Sequence, residues 1–136
     1  MSEAGPAARG MLIMASAGSG KTFALTSRVI ALLLRGVEPS RVLATTFTRK
    51  AAGEVLDRIL LRLCRGATDE SSASRLSKEV GVPATAAECS AVLRRVVDEL
   101  PRLRVMTIDA FFLRLAGAFA MELPAPPGWR LSRDEQ

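Results

Sequence analysis

Apolar positions in this chain alternate between short continuous runs and longer stretches at helical spacing. Met11-Leu12-Ile13-Met14 is a short apolar run suited to a strand buried on both faces. Phe23, Leu25, Val29, Ile30, Leu32 and Leu33 then follow a helical pattern until Gly36, with Pro39 just beyond as a stop. Arg41 to Thr46 reads as a second strand, and Thr48 is placed to cap a helix running to about Arg65, before Gly66. Residues 66–82, rich in Ser, Ala, Thr and Gly, read as a loop. Thr85 and Glu88 form a capping-box pattern that opens a helix ending before Pro101. Val105 to Ile108 reads as a third strand, followed by a helix through Phe111, Leu115 and Phe119.

Strand and helix thus alternate three times, the pattern of an α/β domain with a parallel sheet and flanking helices. Residues 1–9 are small and polar and read as a flexible tail. Residues 123–136, with Pro124, Pro126 and Pro127, read as a linker, leaving one domain over residues 10–122.

Composition narrows the classes. With 136 residues and 49% hydrophobic content, the chain can bury a core and is not generally disordered. The net charge of +5 is compatible with a nucleic-acid partner without requiring one. There is no histidine, so Ser-His-Asp, Cys-His and histidine–metal chemistry are excluded within these residues. Cys64 and Cys89 lack metal-ligand spacing and read as ordinary thiols of a reducing compartment. The apolar stretch after Arg9 is short for a secretion signal, and Val29 to Leu34 is too short to span a bilayer. The expectation is a cytoplasmic protein without a membrane partner.

Between the first strand and the first helix stands Ala15-Ser16-Ala17-Gly18-Ser19-Gly20-Lys21-Thr22. A strand, a Gly-rich turn, a lysine, a hydroxyl and a helix, in that order, form a phosphate-binding loop. Successive N–H groups of such a turn make a concave anion site, and the helix N-terminus adds partial positive charge. Gly18 and Gly20 let the main chain approach phosphate without a Cβ. Lys21 is the candidate for the β- and γ-phosphates of ATP, and Thr22 for Mg²⁺. The usual first glycine is replaced by Ala15.

A second junction, Thr45-Thr46-Phe47-Thr48-Arg49-Lys50, places an aromatic among hydroxyls and bases where a strand ends and a helix starts. Ligands of open parallel sheets bind beyond the carboxyl ends of the strands. Phe47 is therefore a candidate to stack a base of a single-stranded nucleic acid, with Thr46, Thr48 and Lys50 on its phosphates. The plainer alternative makes Phe47 a core residue and the bases a solvated first turn. A third junction holds Thr107 and Asp109, where the plainer reading is an Asp cap over two core phenylalanines. Val96-Val97-Asp98-Glu99 has the look of a strand-borne acidic pair. However, Val92, Leu93, Val96, Val97 and Leu100 are spaced as one helix face, which excludes it. No second catalytic acid is found.

In this order, these segments resemble the UvrD/Rep-type superfamily 1 DNA helicases, particularly the RecB/AddA branch of helicase–nucleases. Residues 15–22 resemble their motif I, Leu43 to Glu54 their motif Ia, and Val105 to Phe112 their motif Ic. The resemblance implies a P-loop NTPase (RecA-like) fold, partly represented here as domain 1A. It also implies an ATP- and Mg²⁺-dependent 3′–5′ motor on single-stranded DNA, used in recombination and break repair, with a nuclease or helicase partner subunit. Carried over by position, Lys21 and Thr22 serve catalysis, and Thr46, Phe47 and Thr107 contact DNA. Asp109 stands where the family often has histidine, and a carboxylate cannot donate to phosphate, which leaves it as a candidate cap. The family's remaining catalytic segments have no counterpart here, so the chain is expected to be an N-terminal fragment, inactive alone. Two alternatives stay open: an unrelated P-loop ATPase or kinase, and a non-catalytic nucleotide- or DNA-binding module.

Overall fold

The computed structural model describes residues 20–119. The expected strand at 11–14, loop residues Ala15 to Ser19, the tail at 1–9 and the linker at 123–136 lie outside the described residues.

Helix α1 spans Lys21–Leu34 and ends at Gly36, whose φ of 87° is the left-handed turn that glycine adopts without strain. A short 3₁₀ turn at Pro39–Arg41 shortens the expected strand, so β1 is Leu43–Thr46. Helix α2, Arg49–Gly66, starts where expected, with the Thr48 hydroxyl accepting from the Ala51 N–H at 3.1 Å.

Residues 66–82 are not a loop: helix α3 spans Glu70–Val80. Asp69 caps it by accepting from the Ser72 N–H at 2.8 Å, and Gly81 closes it at φ 68°. Its apolar face is reduced to buried Ala73 and Leu76 and half-buried Val80, spaced i, i+3 and i+7 within a polar composition that hides them.

Helix α4, Ala86–Asp98, opens with the full capping box expected from Thr85 and Glu88. Val92 and Val96 on α4 are buried, which supports reading 96–99 as helix rather than as an acid-bearing strand. Val97 and Leu100 are nevertheless exposed, so that face is narrower than its spacing suggested. Strand β2 is Arg104–Thr107, and α5 follows at once as Ile108–Ala118.

β1 and β2 pair in parallel, Leu43 against Arg104 and Thr46 against Thr107, with α2, α3 and α4 forming the crossover between them. The described residues therefore form an α/β structure: a two-stranded parallel sheet with five α-helices. Helix α2 is the hub, packing against α1, α3, α4 and the strands. Its Val55, Ile59 and Leu63 meet Ile30 and Leu33 of α1, Leu76 of α3 and Cys89 and Val96 of α4 in one core. Gly66 permits the closest approach, since a Cβ there would stand 2.8 Å from Leu76 Cδ2 and 2.9 Å from Cys89 Sγ. Helix α5 has no fully buried residue. Phe111 and Phe112 meet edge to face at 5.6 Å, but Phe112 is exposed, so the pair is not the core feature expected.

Candidate functional site

Both strands of a parallel sheet end on the same side, and here each ends directly in a helix N-terminus. Thr46 and Thr107 are register partners at those ends, so the expected DNA-contact segments after β1 and β2 stand side by side. Three threonines shape the ledge. The Thr46 hydroxyl donates to the Thr48 carbonyl at 3.0 Å, folding the chain sharply between β1 and α2. Thr48 caps α2, and Thr107 caps α5 by accepting from the Ala110 N–H at 3.2 Å. The α5 cap is therefore Thr107 and not Asp109, which sits exposed in the first turn. A capping hydroxyl uses its oxygen as an acceptor and keeps its own proton, which remains free to donate to a phosphate.

Phe47 is 89% exposed and packs into no core. An aromatic side chain held in solvent between two structural threonines has no packing role to explain it. Arg49 and Lys50 are exposed in the first turn of α2, which carries no acidic residue. Cations at a helix N-terminus oppose the helix dipole, a cost of roughly 0.3–1 kcal/mol each. An anionic ligand lying across the two helix ends would offset it.

The first helix presents a different surface. Gly20 precedes α1 at φ 87°, and no side chain caps the helix, so its first-turn N–H groups meet no side-chain acceptor among the described residues. Lys21 is exposed and Thr22 half-buried at this end. Uncapped N–H groups, a glycine turn and a lysine are the elements from which an anion site is built. Ala15, Ser16, Ala17, Gly18 and Ser19, the other expected nucleotide-binding residues, lie outside the described residues. Among the described residues no group of three His, Cys, Asp or Glu side chains gathers to hold a metal.

Sequence reasoning did not find Arg62. Its guanidinium, on α2, is mostly buried. Nη1 donates to Thr26 Oγ1 at 3.0 Å and to Ser27 Oγ at 2.9 Å, both on α1. Nη2 donates to Glu79 Oε2 of α3 at 2.8 Å, the one ion pair among the described residues. The Arg62 Cζ lies 4.4 Å from the centroid of the Phe23 ring. An arginine inside an otherwise apolar helix face was the available signal.

Two carboxylates are held below the usual range. Asp69 is lowered chiefly by the Ser71 hydroxyl and then by the Ser72 N–H, and Glu88 chiefly by the Thr85 N–H. Burial pushes the Cys89 thiol up, with the Glu88 and Glu70 charges adding to it. These are structural groups distant in sequence from the two candidate sites. No helix among the described residues is long and apolar enough to cross a membrane.

Comparison with known proteins converges on one family. Residues 3–131 match the model of the UvrD/REP helicase N-terminal domain. The chain is 33% identical over 123 residues to an ATP-dependent helicase/nuclease subunit of Streptococcus sanguinis (strain SK36), covering 90% of this chain and 9% of that protein. It is 34% identical over 125 residues to the protein of the same name from Levilactobacillus brevis, covering 92% and 9% respectively. The exonuclease/helicase subunit RexA of Streptococcus pneumoniae serotype 4 is 30% identical over 128 residues, covering 94% and 9%. The chain thus spans 9% of the length of these relatives. No solved structure matches.

Proposed function

The chain belongs to the UvrD/REP helicase N-terminal domain family, and from that premise we propose that it carries the phosphate-holding and strand-gripping elements of an ATP-driven DNA motor. In this reading residues 10–122 belong to a P-loop NTPase domain of the RecA-like kind. Residues 15–22 wrap the phosphates of ATP, Lys21 places its ammonium on the β- and γ-phosphates, and Thr22 faces the Mg²⁺ that accompanies them. Phe47 stacks a base of single-stranded DNA while Thr46, Thr48, Lys50 and Thr107 meet its backbone. ATP hydrolysis, 3′–5′ translocation, a role in break repair and a helicase–nuclease partner subunit follow from the kinship with the helicase/nuclease proteins.

The observation that carries the reading is a pair of helix ends, the starts of α1 and α2. The first has no side-chain cap and begins with a glycine turn and a lysine, and the second exposes an aromatic and two bases. A small-molecule kinase has no use for the second. The helical state of Asp98 and its neighbours favours one narrower alternative. In that alternative the chain binds nucleotide and DNA without turnover.

Lys21→Ala tests the proposal. Calorimetry with Mg-ATP is expected to show binding to the unaltered chain and its loss in the variant. Equal ATP affinity in both removes the phosphate-loop assignment. Steady ATP turnover by the unaltered chain would dismiss the binding-only alternative.

A further inference from the structure

Two candidate sites on separate helices can respond to each other only through something that joins those helices. α1 carries Lys21 and Thr22 at its start, and α2 begins at the ledge formed by Phe47 and Thr48. Their shared contact is mainly apolar, and apolar surfaces slide past one another at small cost because dispersion contacts are individually weak and not directional. Arg62 is the exception. Its fork holds Thr26 and Ser27 at 3.0 and 2.9 Å while its face lies over Phe23, so one side chain of α2 touches three residues in the first two turns of α1. Thr26 relays the contact inward, since its hydroxyl donates to the Phe23 carbonyl at 3.0 Å. Phe23 directly follows Thr22, and Thr26 lies one turn, about 5 Å, further along α1. On the opposite side Glu79 of α3 fixes the guanidinium in place.

We propose that Arg62 is a positioning residue that couples nucleotide occupancy at the start of α1 to the grip on single-stranded DNA at the start of α2. The inference rests on the nucleotide-and-DNA reading above. Arg62 touches neither ligand. It stands fourteen residues beyond the Thr48 cap, about 21 Å along a continuous helix. A shift of the first turn of α1 toward bound phosphate therefore pulls on the far end of a rigid lever whose near end is the ledge. A lysine can keep the ion pair with Glu79 but cannot span two hydroxyls and an aromatic face at once, because its ammonium is a point charge without a planar fork. A purely structural arginine would make α1 and α2 more stable together without linking the two affinities.

The test reads that link directly. The full chain is titrated into fluorescently labelled oligothymidylate with and without saturating Mg²⁺ and a non-hydrolysable ATP analogue. The ratio of the two dissociation constants is the coupling factor, and by linkage DNA changes nucleotide affinity by the same factor. The unaltered chain is expected to give at least about fivefold coupling, the low end for allosteric pairs. Arg62→Ala is expected to bring it below about twofold while each ligand alone still binds, with Arg62→Lys in between. Ser27→Ala, which removes one fork contact and leaves the ion pair, is expected to give an intermediate value and decides the matter should Arg62→Ala fail to fold by circular dichroism. Coupling unchanged in these variants, or absent from an unaltered chain that binds both ligands, overturns the inference alone. An unaltered chain that binds neither ATP nor DNA removes the functional reading and the inference with it.

Discussion

Replacing Phe47 by alanine separates the two roles an aromatic can have. The ring is 89% exposed, so its removal uncovers almost no additional apolar surface and leaves no cavity. Stability is expected to change by less than about 0.5 kcal/mol, as for other surface substitutions. A core phenylalanine in the same place would cost about 3–5 kcal/mol, which would lower the melting temperature by roughly 10 °C or more. Binding is expected to behave in the opposite sense. A stacked base contributes about 1–3 kcal/mol, so the affinity for single-stranded DNA should fall roughly five- to 150-fold. The measurement is fluorescence anisotropy with labelled oligothymidylate at fixed salt, paired with thermal denaturation monitored by circular dichroism. Fixed salt matters because the phosphate contacts are salt-dependent and the stacking contribution is much less so. A variant that melts early and binds DNA normally would return Phe47 to the fold and refute the ledge.

Two further outcomes concern the scaffold. Ile59 is fully buried at the centre of α2, and Ile59→Ala is expected to destabilise the chain by about 2–5 kcal/mol in urea unfolding; a loss below about 1 kcal/mol would contradict its central position. Asp69 and Glu88 are both depressed in the folded state, so the stability they contribute is complete above their unfolded values near 4 and is lost as pH falls through the lower, folded values. Melting temperature should therefore be flat from neutral pH down to about 5 and drop below about 4. Asp69→Asn, which keeps a capping oxygen without the charge, should flatten part of that drop, and an unchanged acid profile would show that the cap charge does not matter.

Much of this architecture was legible from local chemistry. The stops at Gly36 and before Pro101, the Thr48 cap and the Thr85–Glu88 box each rest on one or two residues whose preferences act within a single turn, and all appear in the structure. Helix α3 was missed because its apolar face is only Ala73, Leu76 and Val80, too sparse to stand out among serines, while its real signal was the Asp69 cap. Asp109 was weighed as a cap because acids favour that position, but Thr107, two residues earlier, reached the free N–H first. Arg62 was missed for a different reason. Its partners lie thirty-five and thirty-six residues back on α1 and seventeen ahead on α3, and no local pattern reports contacts of that range. Of the candidate sites, the ledge residues could be named from sequence, but their meeting across Thr46 and Thr107 depended on the parallel register.

The central claim is that two helix ends, the starts of α1 and α2, hold two different ligands. Backbone amide chemical shifts, followed in an isotopically labelled chain by nuclear magnetic resonance, test it at single-residue level. Mg-ATP is expected to move Gly20, Lys21 and Thr22 most, and oligothymidylate to move Thr46, Phe47, Thr48, Lys50 and Thr107. Shifts confined instead to the α3–α4 surface, or both ligands moving the same set of residues, would contradict the account.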